Sequence, residues 1–205
     1  MYYKTIKKEA DAEIVEKKSR FIAHVKPVSS EQEALDMINQ LKSKYWNASH
    51  NVYAYHIKEN NTQRYSDDGE PSGTAGVPVL EVIKKEGLVD TAIVVTRYFG
   101  GTLLGAGGLV RAYTKAAKAG IDAGGLLLMQ LCDVYQVTLD YDLLGKVQYA
   151  ILEREAIIHH TEYKENVILE IFVLHEQGFE DALMDAASGR IRIVKIGEKY
   201  LPLEG

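Results

Sequence analysis

The sequence lacks most features that would settle its class at a glance. It holds one cysteine, Cys132, so no internal disulfide can form, which fits a reducing compartment and an expected cytoplasmic location. No histidine is near that thiol in sequence, and a small residue buried beside a strand is its expected fate. No apolar run approaches the roughly 18 residues of a membrane span. The opening Met-Tyr-Tyr-Lys-Thr-Ile-Lys-Lys-Glu has no apolar signal core. Prolines number four, with no Pro- or Ser-rich stretch, so domains joined by a freely swinging linker are not expected. The Gly-Lys-Ser/Thr phosphate loop is missing, which excludes the P-loop nucleoside triphosphatases. Neither a Ser/His/Asp order nor zinc-ligand spacing occurs, and His159 and His160 fall on opposite faces of a strand, so no metal and no cofactor are expected.

Charge of one sign is also missing from part of the chain. The net charge is −5, yet residues 1–132 carry 17 basic and 15 acidic side chains, while residues 133–205 carry 7 and 14. A polyanion is therefore expected to meet the N-terminal half. Between Thr91 and Ile121 there is no acidic residue, but Arg97, Arg111, Lys115 and Lys118 all fall there.

Glycine, by contrast, is abundant and clustered. Of 17 glycines, eight lie in two loops, residues 67–76 (Asp67, Asp68, Gly69, Glu70, Gly73, Thr74, Gly76) and 99–108 (Gly100, Gly101, Gly105, Gly107, Gly108). The second loop follows an apolar β-branched run ending near Tyr98 and precedes a helical pattern over 109–122, in which Leu109, Tyr113, Ala116 and Gly120 share a stripe. A strand, a glycine loop and a helix start make an anion site, because unpaired N–H groups and the positive dipole end point outward. Two readings stand. One is a phosphate-binding surface extended by Arg97, Arg111, Lys115 and Lys118. The other is tight loop packing beside a solvated basic helix face. Asp67 and Asp68 pin their loop through backbone N–H groups, or pair with Arg97. His50, at a strand start, is expected to cap or hydrogen-bond a turn. Tyr98, Phe99 and Tyr113 stack on bases or fill the core.

The remaining pattern is mixed. Strands are expected over 21–28, 51–57 and 91–98, with a capped helix from Ser30 to about Lys44 burying Ala34, Met37, Ile38 and Leu41. Residues 58–63 read as a polar turn, and a short helix is expected to begin near Thr74 and to end at Gly87. A change of character places a domain boundary near Asp133. Beyond it the order is strand 134–140, helix 143–154, strand 157–163, strand 167–175, helix 178–187 and strand 191–195. That is the βαββαβ order of ferredoxin-like domains.

The runs Asp-Asp-Gly-Glu-Pro-Ser-Gly-Thr-Ala-Gly at 67–76, Thr-Arg-Tyr-Phe-Gly-Gly at 96–101 and Leu-Gly-Ala-Gly-Gly-Leu-Val-Arg-Ala-Tyr at 104–113 resemble the signature of the IMPACT/YigZ family. The resemblance extends over nearly the whole chain in that family's two-domain bacterial form. It implies an α+β protein: a domain similar to domain 2 of ribosomal protein S-five over 1–132, then a ferredoxin-like domain over 133–205. It also implies a regulatory role around translation, with RNA, the ribosome or a protein as partner, no membrane, and binding more than catalysis. The alternative is an enzyme acting on a phosphorylated small molecule, for which Asp67, Asp68 and Glu70 are the carboxylates placed to serve as base.

Overall fold

The structure is a computed structural model that describes residues 1–174 and 178–203. The chain divides into two compact units, Tyr3–Leu128 and Met129–Gly205, the latter joined by Met1–Tyr2. Sequence character placed the boundary near Asp133. The division falls four residues earlier, inside a continuous strand, so composition alone does not mark it.

The first unit contains all but the first residue of β1 (Tyr2–Ile6), with β2 (Ala10–Glu16), β3 (Ser19–Pro27), α1 (Glu31–Lys44), β4 (His50–Ile57), β5 (Thr62–Ser66), α2 (Gly76–Lys85), β6 (Thr91–Tyr98) and α3 (Ala106–Gly124). Its antiparallel sheet runs β2-β3-β6-β4-β5. β6 is central, and alternate residues serve opposite faces. Ile93 and Val95 pack with Phe21, Ala23, Val25, Val52 and Ala54 beneath α2 and α3, while Ala92 and Val94 join Val28, Tyr55 and Ile57 against α1. Cover on both sides explains why β6 reads as a continuous apolar run.

α1 follows its sequence pattern closely. Ser30 caps it by accepting from the Glu33 N–H at 3.2 Å, and the Glu33 carboxylate accepts from the Ser29 N–H at 2.7 Å. Ala34, Met37, Ile38 and Leu41 form its buried face. The polar turn is shorter than the sequence indicates, because residues from Thr62 onward pair with β4 as the edge strand β5. β5 buries none of its five residues fully, so no apolar alternation betrays it.

The second unit contains β7 (Leu126–Leu139), α4 (Leu144–Glu153), β8 (Ile157–Tyr163), β9 (Val167–Val173), α5 (Phe179–Ala186) and β10 (Ile191–Pro202). Four of the five strands of its sheet lie in the antiparallel order β10-β7-β9-β8, which is the ferredoxin-like arrangement, and β1 is the fifth strand of that sheet. Val137, Leu139, Leu169 and Ile171 pack with Val147 and Ile151 of α4 and Phe179 and Leu183 of α5. Both flanking strands outrun their sequence reading: β10 continues to Pro202 because it pairs with β7 back to Met129. The third strand of this unit was expected to reach His175, which lies outside the described residues.

Candidate functional site

The two glycine loops meet beside the start of α3. In the first loop Asp67 acts as a staple. Its Oδ2 accepts from the Gly73 N–H at 2.8 Å, and its Oδ1 accepts from Ala75 and Gly76 at 3.1 and 2.8 Å, just where α2 begins. A carboxylate on those N–H groups caps α2 and favours its dipole. Thr74 donates its hydroxyl to the Pro71 carbonyl at 2.6 Å. Asp68 turns the other way: its carboxylate accepts from Lys42 Nζ and from the Asn51 N–H, both at 2.7 Å. Neither aspartate pairs with Arg97.

Arg97 pairs with Glu70. The guanidinium Nη1 donates to Glu70 Oε1 at 2.6 Å, and Tyr113 donates its hydroxyl to the same oxygen at 2.7 Å. The pair is deeply buried, with side chains only 6% and 3% exposed. Burial first, then the hydrogen bond to Glu70, hold the Tyr113 hydroxyl well above the ordinary phenol range. Arg97 lies between rings, its Cζ 5.3 Å from the Phe21 centroid and 5.7 Å from that of Phe99. The expectation that Arg97 contributes to an exposed cationic surface is therefore corrected: its position in β6, covered from both faces, puts it in the interior with its charge matched.

His50 lies at the start of β4, beside the first loop. Its Nδ1–H donates to the Asp68 carbonyl at 2.9 Å, tying β4 to the first loop, and its Nε2 faces Glu70 Oε2 at 3.7 Å. Gly69, with φ +89°, passes close to that ring.

The second loop is held from beneath. Ser19 Oγ accepts from the Gly100 N–H at 3.1 Å, and Ser49 Oγ accepts from Phe99 at 3.0 Å. A Cβ on Gly100 would overlap the backbone carbonyl of Lys18, so this glycine makes room for protein and not for a ligand. Tyr98 points to Asn47, donating its hydroxyl at 3.0 Å. Gly105, at φ +71°, precedes α3 without any side-chain cap, and the first turn of that helix carries no acid.

His50, Gly69, Glu70, Arg97 and Gly105 line one cavity of about 430 Å³, walled also by Pro71, Phe99, Leu103, Leu104, Ala106 and Leu109. Gly108, Arg111 and Lys115 line a neighbouring hollow of about 220 Å³ with Glu16, Lys17 and Leu104. Arg111 and Lys115 are exposed and form no ion pair among the described residues. Lys118 differs, and its assignment to the cationic surface is also corrected. Its Nζ lies 3.0 Å from both Glu86 and Asp122, which raise its pKa and match its charge. Gly73 and Gly101 occupy open turns, and Gly76 abuts the Ser66 backbone.

Some participants were silent in the sequence. Ser19 reaches the site from a strand 78 residues before Arg97, and nothing local marks it. Tyr113 was legible as core by spacing, and a buried phenol needs a polar partner, which was the available clue. Among the described residues no group of His, Cys, Asp or Glu is placed to hold a metal ion, and no helix is long and apolar enough to cross a membrane.

An antiparallel sheet with helices on both faces and two stapled glycine loops, followed by a ferredoxin-like unit, defines a two-domain α+β class of protein. The chain belongs to the IMPACT family. Residues 17–121 match the Impact N-terminal domain, and residues 137–190 match a Domain of unknown function (DUF1949). IMPACT family member YvyE of Bacillus subtilis (strain 168) is 45% identical over 199 residues, covering 96% of this chain and 91% of that protein. An IMPACT family member of Haemophilus influenzae is 35% identical over 196 residues, covering 89% and 92%. A crystal structure described only as that of a hypothetical protein superposes with a TM-score of 0.63 at 25% identity, covering 95% of this chain and 97% of that one.

Proposed function

We propose that this protein is a translation-associated binding module that takes RNA on the face formed by loop 99–105, the hairpin tip at Lys17 and the first turns of α3. The observation that carries the reading is the coincidence of exposed, unmatched cations with exposed apolar groups. Lys17, Arg111 and Lys115 border one hollow, while Phe99 and Leu103 beside it are 50% and 82% exposed. Phosphates suit the first set and unstacked bases the second. The resemblance to a family whose eukaryotic members regulate translation supports placing that RNA on or near the ribosome.

Single-stranded RNA binding measured against salt tests this. Three cations at roughly −0.7 each give a slope of log K against log salt near −2. Lys17→Glu with Lys115→Glu should bring the slope to about −0.7 or less. Lys118→Ala should leave it unchanged, since two carboxylates already match that charge. Absence of RNA binding at low salt, or a slope indifferent to the double reversal, would overturn the RNA reading in favour of a protein partner.

A further inference from the structure

The cavity between the two loops has features that an RNA-binding surface does not use. We propose that it is a separate site for a small phosphorylated sugar, with the phosphate at the start of α3 and a sugar hydroxyl on Glu70. The cavity shares Phe99 and Leu103 with the RNA face, but Lys17 and Lys115, whose reversal tests the RNA reading, do not line it, so the two readings can fail separately.

α3 is the longest helix of the first unit, at 19 residues, and its N-terminal donors are not capped by any side chain. The other two helix starts of the unit are provided for: α1 by Ser30 and α2 by the Asp67 carboxylate. What Asp67 does for α2, an external anion would do for α3. Gly105 and Ala106 form part of the cavity wall, and Arg111 reaches back over the first turn, its Nη1 within 3.6 Å of where a Gly107 Cβ would stand. Free N–H groups and a positive dipole end thus face the cavity, while Arg111 lines the neighbouring hollow.

The opposite wall supplies an independent observation. Arg97 is 5% exposed and lines the cavity, yet its Nε has no acceptor. Its Nη1 and Nη2 donate to Glu70 and Ser19, so a single N–H of a buried guanidinium is left unmatched, at a cost. Glu70 beside it is polarised in one direction. Arg97 and Tyr113 both donate to Oε1, while Oε2 receives no hydrogen bond and faces only His50 Nε2, at 3.7 Å. A carboxylate would repel a phosphate placed against it, so the phosphate belongs at α3. Oε2 is suited to accept from a hydroxyl some distance along the same molecule. The ligand therefore carries phosphate at one end and hydroxyl groups at the other. The volume of about 430 Å³ is ample for a pentose phosphate. A nucleotide is the second source of the same chemistry, since Phe99 at the rim offers a half-exposed ring to a base.

Calorimetric titration of the full chain with ribose 5-phosphate, AMP, inorganic phosphate and ribose tests the site. Ribose 5-phosphate should bind saturably and at least about tenfold tighter than inorganic phosphate, reflecting the added charge-assisted hydroxyl contact. Ribose alone should not bind. If AMP binds tighter still, and Phe99→Ala returns it to the level of ribose 5-phosphate, the source is a nucleotide; equal binding assigns a sugar phosphate. Ala106→Glu places a carboxylate in the uncapped first turn of α3, at an exposed position. It should weaken every phosphate ligand by roughly 30-fold or more while leaving the melting temperature level or raised, because the side chain takes the anion's place. No saturable phosphate binding below about 10 mM, or Ala106→Glu binding as tightly as the parent, would overturn the proposal. Either result would leave the salt dependence of RNA binding untouched.

Discussion

A carboxylate as buried as that of Glu70 loses several kcal/mol of hydration, which only close pairing can offset. Arg97 at 2.6 Å and Tyr113 at 2.7 Å provide that pairing, and the phenol is the more dispensable of the two because it is neutral. Tyr113→Phe keeps the ring against Phe21, whose centroid is 5.1 Å away, and deletes only the hydroxyl. The expected cost is about 1.5–3 kcal/mol, the worth of a hydrogen bond to a charged group. Urea denaturation measures it, and a loss under about 0.5 kcal/mol would mean that Glu70 is satisfied without the phenol. The pH dependence has a definite sign. Burial and Glu70 raise the folded-state pKa of Tyr113 above the unfolded value of 10.0. Its contribution is therefore fully present below that pH and is lost as the pH rises beyond it, and Tyr113→Phe should flatten the alkaline limb of the stability curve.

At the scale of elements, α3 meets the sheet through glycine. A Cβ at Gly120 would come within 2.8 Å of Val25 Cγ1 and 3.0 Å of Ala23 Cβ, and one at Gly124 within 2.8 Å of Ile6 Cγ2. Helix propensity favours alanine over glycine by about 1 kcal/mol, but overpacking against stiff β-branched neighbours costs about 1–3 kcal/mol. Gly120→Ala should thus be neutral to destabilising, whereas Gly107→Ala, which meets only the mobile tip of Arg111, should stabilise by up to about 1 kcal/mol. Thermal unfolding of the two variants side by side checks the contrast, and equal shifts would contradict it. The same elements show what was legible. α1 could be read to its cap and its buried face, since both are local signals. The glycines could be counted but not sorted. Gly100 and Gly120 admit neighbouring protein, Gly105 admits a positive φ, and only tertiary distances separate these uses. Arg97 and Lys118 looked alike in sequence as basic residues of an acid-free stretch. Glu70 and Glu86 come from outside that stretch, so their matching of Arg97 and Lys118 was invisible, whereas Asp122, four residues beyond Lys118 on the same helix, was legible as its partner.

For the molecule as a whole, each unit has a core of its own, with Phe21, Val95 and Tyr113 in one and Val137, Phe179 and Leu183 in the other. We expect two unfolding transitions in denaturant, each sensitive to its own core. Leu183→Ala removes a fully buried side chain and should lower one transition by about 2–5 kcal/mol while the other stays in place. Pulsed hydrogen exchange would assign each transition to its residues, and a single transition displaced by variants in either core would refute the division.

The second unit also has an order of assembly written into it. Its residues come from both ends of the numbering: the Met1 carbonyl accepts from the Leu131 N–H at 2.9 Å, and β7 finds its long partner only in residues 191–202. Residues 3–128, by contrast, are one unbroken segment. During vectorial synthesis the first unit has all its strands once residue 128 has emerged. The long flank of β7 stays unpaired until β10 is made, an exposed edge for the nascent chain to shield. An excised fragment beginning at residue 129 would leave the Leu131 N–H without its Met1 acceptor.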